Sequence, residues 1–163
     1  MKIAITGHTA GIGQALAEAY YGHEIVGLST REGNNIRNIP KIAALIEPCD
    51  VFINNAQAGY AQTELLFEMH KRWANANKHI VVISTMMTQQ PVSVLEGMDE
   101  YRIQKVALEQ AVHQLRYKNP VGPSITLVRP GQVENPTEWA RVLIKMFTVA
   151  AQNGFAIPDI SLT

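Results

Sequence analysis

Short, continuously apolar runs alternate with amphipathic segments from one end of the chain to the other, and this alternation constrains the fold more than any other feature. Residues 2–6, 24–28, 51–54, 79–85 and 124–129 read as strands, a weaker one is expected around Ile36 within 33–39, and a last at 155–162. Between them lie stretches with helical spacing. In 11–21, Ile12, Ala15, Leu16, Ala19 and Tyr20 share a face, and 41–46 ends before Pro48. In 63–76, Leu65, Leu66, Met69 and Trp73 align, and in 99–117 so do Ile103, Val106, Ala107, Gln110 and Leu115. Residues 136–152 open on Pro136, where a missing N–H costs nothing. Strands joined by helices imply parallel pairing through right-handed crossovers. Strands that are apolar throughout, rather than alternating, imply a sheet covered on both faces. The expected fold is a doubly wound parallel α/β sheet with helices on both faces, and 163 residues suit one domain, 1–163.

Composition narrows the function. Lys+Arg and Asp+Glu number 14 each. A neutral chain exerts little long-range pull on phosphate backbones or anionic lipid, so neither nucleic acid nor a membrane is an expected partner. No apolar run approaches a membrane span. The single cysteine, Cys49, forbids an internal disulfide and suits a reducing compartment, with a small buried spacer as its expected role. The five histidines follow no metal-ligand spacing, so no metal is expected. The N-terminus enters a strand at once without a leader pattern, and a cytoplasmic protein is expected.

Five local patterns carry chemistry. Thr6-Gly7-His8-Thr9-Ala10-Gly11-Ile12-Gly13 joins the first strand to the first helix. Glycines there allow a tight turn and close approach of a diphosphate to the helix N-terminus; the plainer reading is a helix-start loop. Asn54-Asn55-Ala56 closes the strand at 51–54, on the carboxyl edge where open α/β sheets bind ligands, although Asn is also a common turn residue. Tyr101 and Lys105 are four apart on a helix and share a face. An ammonium beside a phenol favours the phenolate and makes a usable acid near neutral pH. Taken alone, such a pair is more often an amphipathic residue beside a solvated charge. Ser84 and Thr85 end the fifth apolar run, where a hydroxyl could hold a carbonyl near Tyr101 or simply satisfy backbone groups. Arg129-Pro130-Gly131 makes a sharp exit from the next strand and is equally an ordinary turn signal.

In this order, the five patterns resemble the short-chain dehydrogenase/reductase family along the whole chain. Thr6–Gly13 is similar to its TGxxxGxG loop and Asn54-Asn55-Ala56 to its NNAG. Ser84 and Thr85 match its strand-end hydroxyl, Tyr101 and Lys105 its YxxxK, and Pro130-Gly131 its PG turn. The resemblance implies a Rossmann-like sheet with the family's full strand order. It implies a nicotinamide cofactor held by Gly7, His8, Thr9, Gly11, Ile12, Gly13, Thr30, Arg31, Asn38, Asn54, Asn55, Ala56, Lys105, Pro130, Gly131 and Val133. Asn38 stands where the family has an adenine-contacting acid after its third strand. Tyr101 would exchange the carbonyl/alcohol proton, Lys105 would lower its pKa and hold the nicotinamide ribose, and Thr85, or else Ser84, would orient the substrate. Arg31, with Ser29 and Thr30 at the end of the second strand, suits a 2′-phosphate, so NADP(H) is preferred, and Glu32 keeps NAD(H) open.

The departures bear on function too. Gln57 replaces the last glycine of NNAG, and Thr85 and Tyr101 stand sixteen positions apart, longer than the family norm. No residue aligns with the family's helix asparagine of the proton relay. Pro136 follows Pro130-Gly131 so soon that the substrate lid is expected to be reduced or absent. The expected function is oxidoreduction of a small carbonyl or alcohol substrate. The rivals are a cofactor-binding sensor or regulatory module without turnover, and an epimerase- or dehydratase-like member. A homodimer or homotetramer is expected, with Met69 and Trp73 on one helix and Ile103, Ala107 and Leu115 on another as candidate contacts.

Overall fold

The run KIAIT forms β1 (Lys2–Thr6), buried from Ile3 onward, and feeds α1 (Gly11–Ala19). β2 (Glu24–Leu28) follows, then a single 3₁₀ turn at Thr30–Glu32. After it come α2 (Ile39–Ile46), β3 (Val51–Asn54), α3 (Ala61–Arg72) and β4 (His79–Ile83). The chain closes with α4 (Asp99–Lys118), β5 (Ser124–Pro130), α5 (Pro136–Gln152) and β6 (Asp159–Leu162). This computed structural model describes residues 1–92, 95–118 and 121–162.

The strands make one sheet in the order β2-β1-β3-β4-β5-β6, parallel throughout. Alternation along each strand splits the interior into two layers. Ala4, Phe52, Ile80, Val82 and Leu127 face one side, against Ile42 of α2, Leu66 of α3 and Leu108 of α4. Ile3, Ile5, Ile53, Val81 and Val128 face the other, against Leu16 of α1 and Leu143 of α5. The chain leaves β1 toward β2 and returns on β1's other side as β3. The reversal opens a crevice at the carboxyl ends of β1 and β3, the place where such sheets take ligands.

Two expectations need correcting. The strand expected around Ile36 does not form. Asn35 Oδ1 accepts from Arg37 N at 3.0 Å and Asn34 N donates to Ser29 O at 2.9 Å, so this stretch turns where a strand would run straight. Ile36 is still buried, in the same core layer as Leu28 and Ile42. The sheet therefore lacks the family's full strand order, and β2 is an edge strand. Second, Met69, Trp73 and Leu115, offered as intermolecular contacts, are core residues; of that set, Ile103 is exposed. Smaller differences lie at element ends: β4 stops at Ile83, and the last strand begins at Asp159. Cys49 is fully buried, and burial pushes its thiol pKa up, as suits a spacer.

His79 opens β4 with its ring against Phe147 and its Nε2 at 2.9 Å from Thr126 Oγ1. Burial pulls its pKa down to about 4. The folded imidazole therefore stays neutral where the unfolded one, near 6.5, takes a proton. Stability is full above 6.5 and falls as pH drops toward 4, by up to about 3 kcal/mol. Urea melts from pH 4 to 7 should show this slope, and His79→Asn should flatten it.

Candidate functional site

Thr6 and Asn55 build the crevice floor. Thr6 Oγ1 accepts from Asn55 N and Ala56 N, both at 3.0 Å, and Asn55 Nδ2 donates to Thr6 O at 2.9 Å, tying the ends of β1 and β3. Gly7 takes φ +73°. At Gly13 a side chain has no room, because a Cβ would stand 2.2 Å from Gly7 O and 2.7 Å from Asn55 Nδ2. α1 thus starts hard against the loop. Its N-cap Ala10 offers no side-chain acceptor and its first turn carries no acid, so its N–H groups face the crevice free for an anion.

A cleft of about 350 Å³ opens there. It is lined by Gly11 and Ile12 of α1, Asn55 and Gln57 after β3, Ser84 and Thr85 after β4, Tyr101 and Lys105 of α4, and Pro130, Gly131, Val133 and Pro136 around the start of α5. All five sequence patterns reach it. A larger apolar cavity of about 680 Å³, lined by His79, Phe147 and Phe155 among others, opens at the opposite strand ends and contains none of these residues.

Lys105 is buried beneath the cleft, its Nζ donating to Gln62 Oε1 and Ile83 O, each at 2.8 Å. Burial pulls its pKa down to about 8, with Glu109 one turn away pulling up. Gln62 escaped the sequence reading. It stands in the first turn of α3, where its Nε2 donates to Asn54 O at 2.7 Å and Ile83 O at 3.0 Å. With two carbonyls claiming the amide nitrogen, the amide oxygen must face Lys105. A glutamine just after NNAQ looks like any helix-start residue; only the packing of three elements singles it out. Asn54, fully buried, closes the same cluster by donating to Gln62 O at 2.9 Å.

Tyr101 is half-buried. Burial pushes its phenol pKa up, and a hydrogen bond from the Thr85 side chain pulls it down. The Lys105 ammonium lies 5.6 Å from the Tyr101 ring centroid, and its bonds go to Gln62 and Ile83. Ser84 is buried and donates to Glu109 Oε1 at 2.6 Å, whereas Thr85 is part-buried, and both line the cleft. Gln57, in the place of the family's glycine, reaches across the cleft mouth to Gln104 Oε1.

The remaining predicted residues lie outside the cleft lining. His8 and Thr9 form the turn beyond Gly7, and the His8 ring fills the space a Cβ on Gly27 would take, with Nε2 at 3.4 Å from Glu32 Oε2. Thr30 and Arg31 are exposed in the turn after β2. Asn38 accepts from Lys41 N at 3.4 Å and caps α2. Among the described residues, no group of three or more His, Cys, Asp or Glu could hold a metal ion, and no helix is long and apolar enough to cross a membrane.

No family model matches the sequence, and no curated protein does. Solved structures do match. A short-chain dehydrogenase/reductase from Vibrio parahaemolyticus superposes with TM-score 0.81 over 98% of both chains at 18% identity. The serine dehydrogenase of Escherichia coli gives 0.75 over 99% of this chain and 97% of its own, at 17% identity. A short-chain dehydrogenase from Burkholderia cenocepacia J2315, solved with NADP, gives 0.72 over 99% and 87%, at 14% identity. Against that six-stranded parallel sheet, the likeness establishes the architecture: this chain has the fold of the short-chain dehydrogenases/reductases.

Proposed function

We propose that the protein is a nicotinamide-dependent oxidoreductase of the short-chain type, acting on a carbonyl or alcohol and preferring NADP(H) to NAD(H). One observation carries this reading: an uncapped helix N-terminus and the Thr85–Tyr101–Lys105 cluster share one cleft at the sheet's switch point. The residues fit the cofactor. The missing side chain at Gly13 lets the loop and α1 close tightly, and Gly11 leaves open space at the helix start for a diphosphate.

Gly11 and Ile12 bind the diphosphate through backbone N–H groups, and Pro130, Gly131 and Val133 flank the nicotinamide end. When bound, the nicotinamide supplies hydride to the reacting carbon or takes it away. Thr85 orients the substrate oxygen. Tyr101 gives that oxygen its proton in reduction and removes it in oxidation. Lys105 holds the ribose with the N–H not used by Gln62 or Ile83 O. The similar structures solved with NADP and NAD are consistent with the cofactor class.

Arg31 supports the NADP(H) preference, since a guanidinium pairs well with a phosphate. In fluorescence titrations, NADPH should bind more tightly than NADH, and Arg31→Ala should weaken NADPH about tenfold while sparing NADH. Equal affinities in the parent would refute the phosphate site; binding of neither would refute the function.

A second reading, a cofactor-binding module without turnover, draws on Lys105. Its ammonium is engaged by Gln62 and Ile83 O, and burial holds the Tyr101 phenol above its ordinary pKa. Tight NADPH binding with no oxidation across a broad carbonyl screen would favour it.

A further inference from the structure

Gln62 lies in the first turn of α3, 2% exposed, and both ends of its side-chain amide are committed. Nε2 donates one hydrogen to Asn54 O at 2.7 Å and the other to Ile83 O at 3.0 Å. Oε1 accepts from Lys105 Nζ at 2.8 Å. Asn54 Nδ2 donates in return to the Gln62 backbone carbonyl at 2.9 Å, so the two amides clasp each other. Flipping the Gln62 amide would set its oxygen against two carbonyls and its nitrogen against an ammonium. The side chain therefore has one orientation, held from the ends of β3 and β4.

An ammonium has three N–H donors. Lys105 gives one to Gln62 Oε1 and one to Ile83 O, each at 2.8 Å, and both acceptors are neutral. The carboxylate one turn along α4, Glu109, bonds elsewhere. Its Oε1 accepts from Ser84 at 2.6 Å, and its Oε2 accepts from Arg129 of β5 at 2.8 and 3.0 Å. Tyr101, the other titratable group beside Lys105 on α4, presents its ring at 5.6 Å. Among the described residues, the Gln62 oxygen and the Ile83 carbonyl are thus what bonds the ammonium directly, and bonds of that kind favour the charged form.

We propose that Gln62 is a positioning residue for Lys105: locked by its own bonds to β3 and β4, its amide oxygen anchors the ammonium in its charged form and leaves a single N–H for the cleft. What that N–H does for a ribose rests on the oxidoreductase reading; the anchoring itself does not. An acceptor whose own orientation is fixed by two further bonds is the kind of supporting contact that holds a functional side chain in place. A neutral acceptor does this without pairing the charge, so the ammonium stays available to a ligand in the cleft.

The readout is the titration of Lys105 in protein carrying ¹³C-labelled lysine, followed through its Cε resonance by NMR, with Lys105→Arg assigning the signal. Burial already holds the Lys105 midpoint down at about 8. Gln62→Met keeps the length of the side chain and removes the acceptor, so the midpoint should fall further, by about one pH unit. A merely structural role predicts the reverse. A loosened site would admit water, relieve the burial and let the midpoint climb toward that of an ordinary lysine. Gln62→Asn keeps an amide but ends one methylene short of the ammonium. It should also lower the midpoint, and it serves if Gln62→Met does not fold. A midpoint equal to the parent's or above it in the folded variant overturns the proposal. The measurement uses neither cofactor nor substrate. Failure to bind NADPH would therefore sink the oxidoreductase reading and leave this one standing, and an unmoved midpoint in a protein that binds NADPH would do the reverse.

Discussion

Tyr101→Phe is expected to lower turnover of a carbonyl substrate by about 10²–10⁴-fold while leaving NADPH affinity within about twofold of the parent's. The substitution removes one oxygen and keeps the ring, so the packing of α4 and the 5.6 Å approach of the Lys105 ammonium survive. The phenol's raised pKa sets the direction of the pH dependence. At neutral pH Tyr101 holds its proton, which suits carbonyl reduction; alcohol oxidation needs the phenolate and should speed up as pH rises. Around pH 8 Lys105 loses its charge, so ribose binding should weaken as pH rises through that point. Initial rates from pH 6 to 10 in both directions would check this. A Tyr101→Phe rate equal to the parent's would mean that the proton comes from another group.

Gly13→Val should destabilise the fold by about 1–3 kcal/mol or more and abolish cofactor binding. The first atom the new side chain meets is a backbone carbonyl, Gly7 O at 2.2 Å, followed by the Asn55 amide that staples β1 to β3. Backbone cannot swing aside as a side chain can. Gly27→Ala makes the contrast: its Cβ would also meet atoms at 2.3 Å, but they belong to the His8 ring, which can rotate out over the exposed edge. Urea melts together with NADPH titrations should place Gly13→Val far below the parent and Gly27→Ala close to it. A Gly13→Val protein as stable as the parent would show that the loop and α1 do not pack this tightly.

Much of this architecture is legible in residue order, because it rests on local patterns. β1, β2 and β3 and the extent of α5 follow from apolar runs and from Pro136. Gly11 and Ile12 of the glycine loop, Asn55, Thr85, Tyr101 and Lys105 fall on the expected elements and meet in one cleft. What escaped depends on partners distant in the chain. Ile36 is apolar and buried, as a residue in a strand or in a turn can be; the Asn35 turn decides between them. Ser84 and Thr85 are neighbours of like chemistry, and the Ser84 bond to Glu109, twenty-five positions away, is invisible in residue order. The charge beside Tyr101 was legible, but its partners were not, because Gln62 and the Ile83 carbonyl come from other elements of the fold.

Tyr101, Lys105 and Glu109 recur every fourth residue along α4, while Leu108, Ala111, Val112 and Leu115 of the same helix are rooted in the hydrophobic interior. Both sets share one rod, and so one rotational phase. Deleting a single residue between positions 101 and 105 would turn Tyr101 by about 100° against Lys105 and against the apolar anchors beyond it. The helix could then keep its apolar anchors or its reactive edge, but not both. Selection for a well-packed interior therefore also guards the alignment of the chemistry, and length changes in this stretch should be far scarcer than substitutions.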